Sequence, residues 1–240
     1  MQRQILKKEN RVAEDILPDL LSKIKKDFKE RFDNDASIIF LLKQKNSFAN
    51  ANKFAKRVGE LLAETLTENI DISTLPDGKM YFNIAERLLN DVLGNNYKII
   101  TEFAESVQKQ LNIEANINLA IIKPKINQDR IKGLVERLSE DDNYDNVSWL
   151  LDAPITNFSQ SIVDDFVKAN VDFHARTGLK PKLTRTVIGK CCKWCEEKAG
   201  TYDYPVPDEI YLRHRNCDCI VEYFPRDGRG IQNSYTKKWR

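Results

Sequence analysis

The stretch Gly189–Pro225, GKCCKWCEEKAGTYDYPVPDEIYLRHRNCDCIVEYFP, holds all five cysteines of the chain and one of its two histidines. Its spacing is Cys192-x2-Cys195, then eighteen residues, then His214-x2-Cys217-x-Cys219. Two close ligand pairs separated by a chain excursion are the layout of a tetrahedral zinc site. Zinc is borderline soft and accepts mixed sulfur and imidazole donors, so this residue set suits it. Four closed ligands would also hold together a segment too short to bury its own apolar core.

With Cys191 set aside, Cys192, Cys195, His214, Cys217 and Cys219 offer five donors for four positions. Cys192, Cys195 and His214 are expected ligands, with either Cys217 or Cys219 as the fourth. Cys217 has the ordinary short spacing from His214, whereas Cys219 opens an apolar strand and is the candidate to turn into the core. The two thiolates are expected on opposite sides of the Cys-x-Cys segment, so that both do not reach one metal.

Other readings of the cysteines fit less well. A redox Cys-x2-Cys belongs at a helix start in a thioredoxin-like βαβ context, which nothing upstream supplies. Buried cysteines can be small core hydrophobes, but that leaves the second ligand pair unexplained. A disulfide knot conflicts with the odd cysteine count and with the reducing cytoplasm implied by a start without a secretory signal. Catalytic zinc needs an open coordination position and a nearby base. Glu196 and Glu197 are close in sequence but are read as a solvated helical face. No catalytic or cofactor-binding residues are expected.

Outward from this window the chain is helical in texture. Apolar residues recur at helical spacing over Ile5–Phe32, with Pro18 marking a new start or a kink. The run FDNDAS supplies turn and cap residues, and a helix is expected over Ile38–Thr67. After the turn STLPDG come two helices, Tyr81–Leu93 ending at Gly94, and Tyr97–Leu111. Asn112–Pro124 reads equally as strand or buried helix, and Asn127–Leu138 as helix. SEDDNYDN is an exposed acidic connection, followed by a helix over Ile155–Arg176 that ends at Gly178. Leu183–Ile188 and Cys219–Phe224 alternate and are β-branched, so both read as strands. The expected fold is therefore α+β and mainly α-helical. Residues 1–145 form an N-terminal helical region, and residues 146–240 a smaller C-terminal module with the Cys/His site at 187–225.

His174, near a helix C-terminus, is read as a dipole or capping partner without chemistry. Asp152, Asp164, Asp165 and Asp172 are read as scattered over a helix surface. No window reaches the roughly 18 apolar residues of a membrane helix. The net charge of +2 gives no chain-wide case for nucleic acid, but Arg176–Arg240 carries 14 Lys/Arg against 8 Asp/Glu. DNA contact could run through Arg213 and Arg215 and through the tail residues Arg226, Arg229, Lys237, Lys238 and Arg240.

The segment Val187–Pro225 resembles the C-terminal part of tailed-phage minor head proteins, the head-morphogenesis proteins of the Mu F-like family. The shared pattern is a strand, Cys192-x2-Cys195, Gly200, and His214-x2-Cys217-x-Cys219 leading into another strand. The tail QNSYTKKWR from Gln232 is similar to the ends of such proteins from phages of Gram-positive bacteria. Many members have His-Pro-x-Cys-Arg-Cys, where this chain has Arg215 and Asp218. The resemblance covers about the last sixty to seventy residues and implies a virion protein of the phage head, made in the bacterial cytoplasm. Its implied partners are the portal protein, the major capsid protein or scaffold, and packaged DNA, with a role in head assembly and in DNA packaging or ejection. Some longer relatives carry a toxin domain after the motif, and none is expected in a chain that stops at Arg240.

Overall fold

The computed structural model describes residues 15–44, 47–189 and 191–225. Its main helices are α1 (Leu17–Asn34), α2 (Ala36–Lys43), α3 (Phe48–Asn69), α4 (Phe82–Glu114), α5 (Gln128–Leu138) and α6 (Ala153–Arg176). Strand β1 (Lys182–Thr186), a short helix α7 (Lys193–Glu197), β2 (Gly200–Asp203) and β3 (Ile220–Phe224) follow among the described residues. The three strands form one antiparallel sheet in the order β2-β1-β3. The expected mainly helical α+β fold is the observed one.

Several helix starts have a local cause. Pro18 sits in the first turn of α1, where its missing N–H is not needed, so the helix begins at Leu17. Asp35 caps α2 by accepting from the Ile38 amide, and Ser47 caps α3 by accepting from Asn50. The helix expected over Ile38–Thr67 is thus two helices, divided where these caps compete with continuation. Asn127 caps α5 in the same way.

Two helices were expected on either side of Gly94, but α4 runs through it without a break. Ala85, Leu88, Leu89, Val92, Leu93, Asn96, Ile100, Phe103, Ala104, Val107 and Leu111 are all buried along one stripe. A mid-helix glycine costs about 1 kcal/mol, far less than that stripe gains by staying in register with the core. Asn112–Pro124, ambiguous between strand and helix, begins as the end of α4 at Glu114, and residues 117–124 form neither helix nor strand. Asn170 of α6 takes the place of a strand partner: its Oδ1 accepts from the Ile122 amide (2.9 Å) and its Nδ2 donates to the Ile122 carbonyl (2.8 Å). Strand β2 had no expected counterpart, because GTYD lacks the apolar alternation that marks a strand; it is held by backbone pairing to β1.

Helix α3 runs through the core, with α1, α4 and α6 packed around it. Its approach to α6 depends on Gly59, where a Cβ would stand 2.8 Å from both Thr156 Cα and Ser159 Cβ. Phe54 stacks on Phe103 with ring centres 4.4 Å apart. The sheet joins this same core through β3, where Tyr223 stacks on Phe48 at 5.6 Å and donates to Gln108 Oε1 at 2.6 Å. Glu222 accepts from the Ala49 amide in the first turn of α3. One continuous apolar cluster consequently runs from Leu17 to Tyr223. The acidic connection is less exposed than its composition suggests, because Tyr144 turns inward and is buried.

Candidate metal centre

The cysteines cluster where the sheet meets the helical body. Cys192 is the residue before α7 and Cys195 lies within that single turn, so the x2 spacing brings both sulfurs to one side. The chain then forms β2, crosses residues 204–212, and returns with His214, Cys217 and Cys219 ahead of β3. His214 Nε2 lies 3.3 Å from Cys192 Sγ and 2.9 Å from Cys195 Sγ. Cys195 Sγ lies 3.7 Å from Cys217 Sγ. Two overlapping triads of ligand atoms result, Cys192–Cys195–His214 and Cys195–Cys217–Cys219, each within 4.8 Å. These Cys/His groups could hold a metal ion.

The distances can be compared with tetrahedral coordination. Metal–sulfur bonds of about 2.3 Å at the tetrahedral angle place two sulfurs about 3.8 Å apart, and a sulfur and a nitrogen about 3.5 Å apart. The sulfur pair fits, and the sulfur–nitrogen contacts are slightly tighter. All five cysteines are free thiols, and a 3.7 Å separation is far beyond a disulfide bond.

The expectation that Cys217 and Cys219 point apart is corrected. Both are buried and both face Cys195. In extended backbone it is residues i and i+2 that share a face, so a Cys-x-Cys segment presents both thiols together. The intervening Asp218 points the other way and forms an ion pair with Lys56 of α3 at 2.7 Å. Cys191, outside the ligand set, donates to Glu196 at 3.6 Å.

Surrounding groups orient the donors. His214 Nδ1 contacts the Arg215 carbonyl at 2.7 Å, which places the proton on Nδ1 and turns the Nε2 lone pair toward the sulfurs. Trp194 meets the imidazole edge to face at 5.9 Å. A backbone hydrogen bond from Cys195 lowers the Cys192 pKa, while burial raises those of Cys195 and Cys219.

Two buried arginines frame the cluster, and their position was not legible in the sequence. Arg185 of β1 is 1% exposed. Its Nη1 donates to the carbonyls of Ile210 and Leu212, its Nη2 lies 3.7 Å from Cys217 Sγ, and its guanidinium stacks on Trp194 at 5.2 Å. It has no carboxylate partner among the described residues. Arg213, expected as a DNA contact, is instead buried in an ion pair with Asp164 of α6. It also donates to Asn52 Oδ1 (2.6 Å) and to the Cys217 carbonyl (3.2 Å). Asp164 is therefore no surface residue, because its bidentate pairing pins the ligand loop to α6.

His174 also departs from expectation. It is fully buried against Tyr223, and burial lowers its pKa to about 4, so it is neutral and cannot act as a cationic dipole partner. Arg215 is exposed. The tail candidates Arg226, Arg229, Lys237, Lys238 and Arg240 lie outside the described residues. No helix is long and apolar enough to cross a membrane among the described residues. Comparison with protein-family models, with curated proteins and with solved structures gives no match.

Proposed function

We propose that the chain is a non-enzymatic structural protein of a tailed-phage head, whose C-terminal segment is closed by a structural zinc ion. The observation that carries the zinc reading is Arg185. A buried guanidinium without a carboxylate is costly unless negative charge lies beside it. Zinc held by Cys192, Cys195, Cys217 and His214 sums to about −1, which Arg185 balances. Exchanging His214 for Cys219 would give about −2 and leave the charge uncompensated. The His214 tautomer supports His214 as a donor; Cys217 and Cys219 both lie with Cys195 in the second triad, and the contact of Arg185 with Cys217 favours Cys217 as the fourth. Four protein donors leave no position for a substrate, which is the character of a structural rather than a catalytic site.

The head-protein reading is supported by the resemblance of Val187–Pro225 to minor head proteins. The metal loop is also tied to the helical body through Asp164, Asn52 and Lys56, so the zinc would brace the packing of the whole chain. In this reading the protein docks at or near the portal during head assembly, alongside capsid or scaffold protein. Co-expression with the portal protein of the same genome under procapsid-forming conditions tests it. Co-purification with portal-containing particles is the expected result, and consistent absence from them contradicts the reading.

A further inference from the structure

Helix α5 carries Arg130 and Arg137, two turns apart on one face with Gly133 between them. They line a cleft of about 440 Å³ whose opposite wall includes Trp149, Asn157 and Arg215. The guanidinium carbons of Arg137 and Arg215 each lie 5.1 Å from the centre of the Trp149 ring, and that of Arg130 lies 5.7 Å from Phe158. Three arginines thus line one cleft with no carboxylate in its lining, the guanidinium of Arg130 lying over Phe158 of the adjoining cavity. Among the described residues none of the three has an ion-pair partner within 4 Å. The acidic groups nearest in effect to Arg130 are Asp165 and Asp164. Asp164 is committed to Arg213, and Asp165 lines the neighbouring cleft.

Arg137 and Arg215 are exposed and rest against Trp149, and none of the three arginines has a carboxylate partner among the described residues, so the cleft offers guanidinium donors to an incoming anion. Arginine presents a planar fork of donors that matches phosphate oxygens bidentately and stays charged at every accessible pH. Gly133 adds no side chain to the cleft floor, with open space where its Cβ would be. Trp149, 39% exposed, lines the same cleft with Arg137 and Arg215 against its ring. That pairing suits a phosphate carrying a base better than a free anion.

We propose that this cleft binds a backbone phosphate of single-stranded nucleic acid, with Arg130, Arg137 and Arg215 on the phosphate and Trp149 against the adjoining nucleoside. The chemistry of the cleft is independent of the head-protein reading. It is linked to the metal centre, however. Arg215 follows His214 directly and its carbonyl holds the His214 ring, while Asn157 Nδ2 donates to the His214 carbonyl at 2.9 Å. The loop that carries the candidate ligand therefore also sets one wall of the cleft.

The test uses the full chain, with a short single-stranded oligonucleotide and inorganic phosphate as separate probes. Arg137→Gln and Arg215→Gln alter exposed side chains, so the doubly substituted protein should fold, which its thermal transition checks. Saturable oligonucleotide binding that weakens at least tenfold in this variant, as loss of charge-assisted bonds requires, supports the site. So does a fluorescence change on oligonucleotide addition that disappears in Trp149→Phe. Unchanged affinity in the double variant, as expected if the basic tail does all the binding, overturns the proposal. Inorganic phosphate binding as tightly as the oligonucleotide would overturn the nucleic-acid assignment.

Discussion

The guanidinium of Arg185 lies 3.7 Å from the sulfur of Cys217, fully buried and without a carboxylate partner among the described residues. A cation in that position requires an anion, and the neighbouring thiol becomes one when it binds a metal. Arg185→Met should therefore weaken zinc affinity, by about 10- to 100-fold as for other groups that orient metal ligands. Competition with a chelator of known affinity measures this. Unchanged affinity would show that the arginine only braces the carbonyls of Ile210 and Leu212.

The choice among five donors yields a second prediction. Cys217→Ser should lose the metal, while Cys219→Ser should keep near-stoichiometric zinc with only a modest loss of stability. The reverse pattern would place Cys219 in the fourth position; three thiolates and His214 would still sum to about −1, so it would refute the selection of Cys217 by its contact with Arg185.

Arg213 and Asp164 join the ligand loop to α6 through side chains that are 2% and 1% exposed. Removing one partner of such a pair costs about 3–5 kcal/mol, because the other charge stays buried. Asp164→Asn and Arg213→Met should each lower the urea midpoint strongly. The double substitution should cost less than the sum, and simple additivity would argue against coupling.

Gly59→Ala tests the contact between α3 and α6. The added methyl meets backbone at Thr156 and the side chain of Ser159, so the helices must separate or shift. A loss of about 1–3 kcal/mol is expected, against the gain an alanine gives on an open helix face. A neutral or stabilising result would mean that these helices are less tightly fitted.

The acid response carries a definite sign. Burial lowers the His174 pKa from its ordinary 6.5 to about 4, so the unfolded chain binds the proton more readily. The stability due to its neutral burial is complete above pH 6.5 and is lost as pH falls through 4. Burial acts oppositely on Asp165, raising its pKa to about 6 with further help from Asp164. Its contribution is complete below pH 4 and is lost as pH rises through 6. Relative to the parent, His174→Phe should gain stability on going from pH 7 to pH 4.5, and Asp165→Asn should gain it on going from pH 4 to pH 7. Unfolding curves at fixed zinc check both slopes.

Much of the fold was legible because helix starts and buried stripes follow local chemistry, as Pro18 and Asn127 illustrate, although the cap at Ser47 that divides Ile38–Thr67 was missed. Several misreadings share one cause, that long-range packing overrules a local signal, whereas the break before α3 and the shared face of Cys217 and Cys219 are local features. Gly94 looks like a terminus until the stripe from Ala85 to Leu111 is seen to be buried as a unit. Asp164 looks like a surface residue and His174 like a helix-end dipole partner until Arg213 and Tyr223 arrive from far along the chain. The metal cluster was visible from spacing alone, since close ligand pairs are a local feature. Its electrostatic partner was not, because nothing in LTRTVI marks Arg185 as a residue that would turn inward.

The zinc content of the full chain, purified under reducing conditions, tests the central claim most directly. About one zinc per chain is predicted. It should be lost in the Cys192→Ser/Cys195→Ser double variant, together with the protease resistance of residues 182–225. A metal-free protein whose C-terminal segment is as resistant as that of a zinc-supplemented sample would contradict the account.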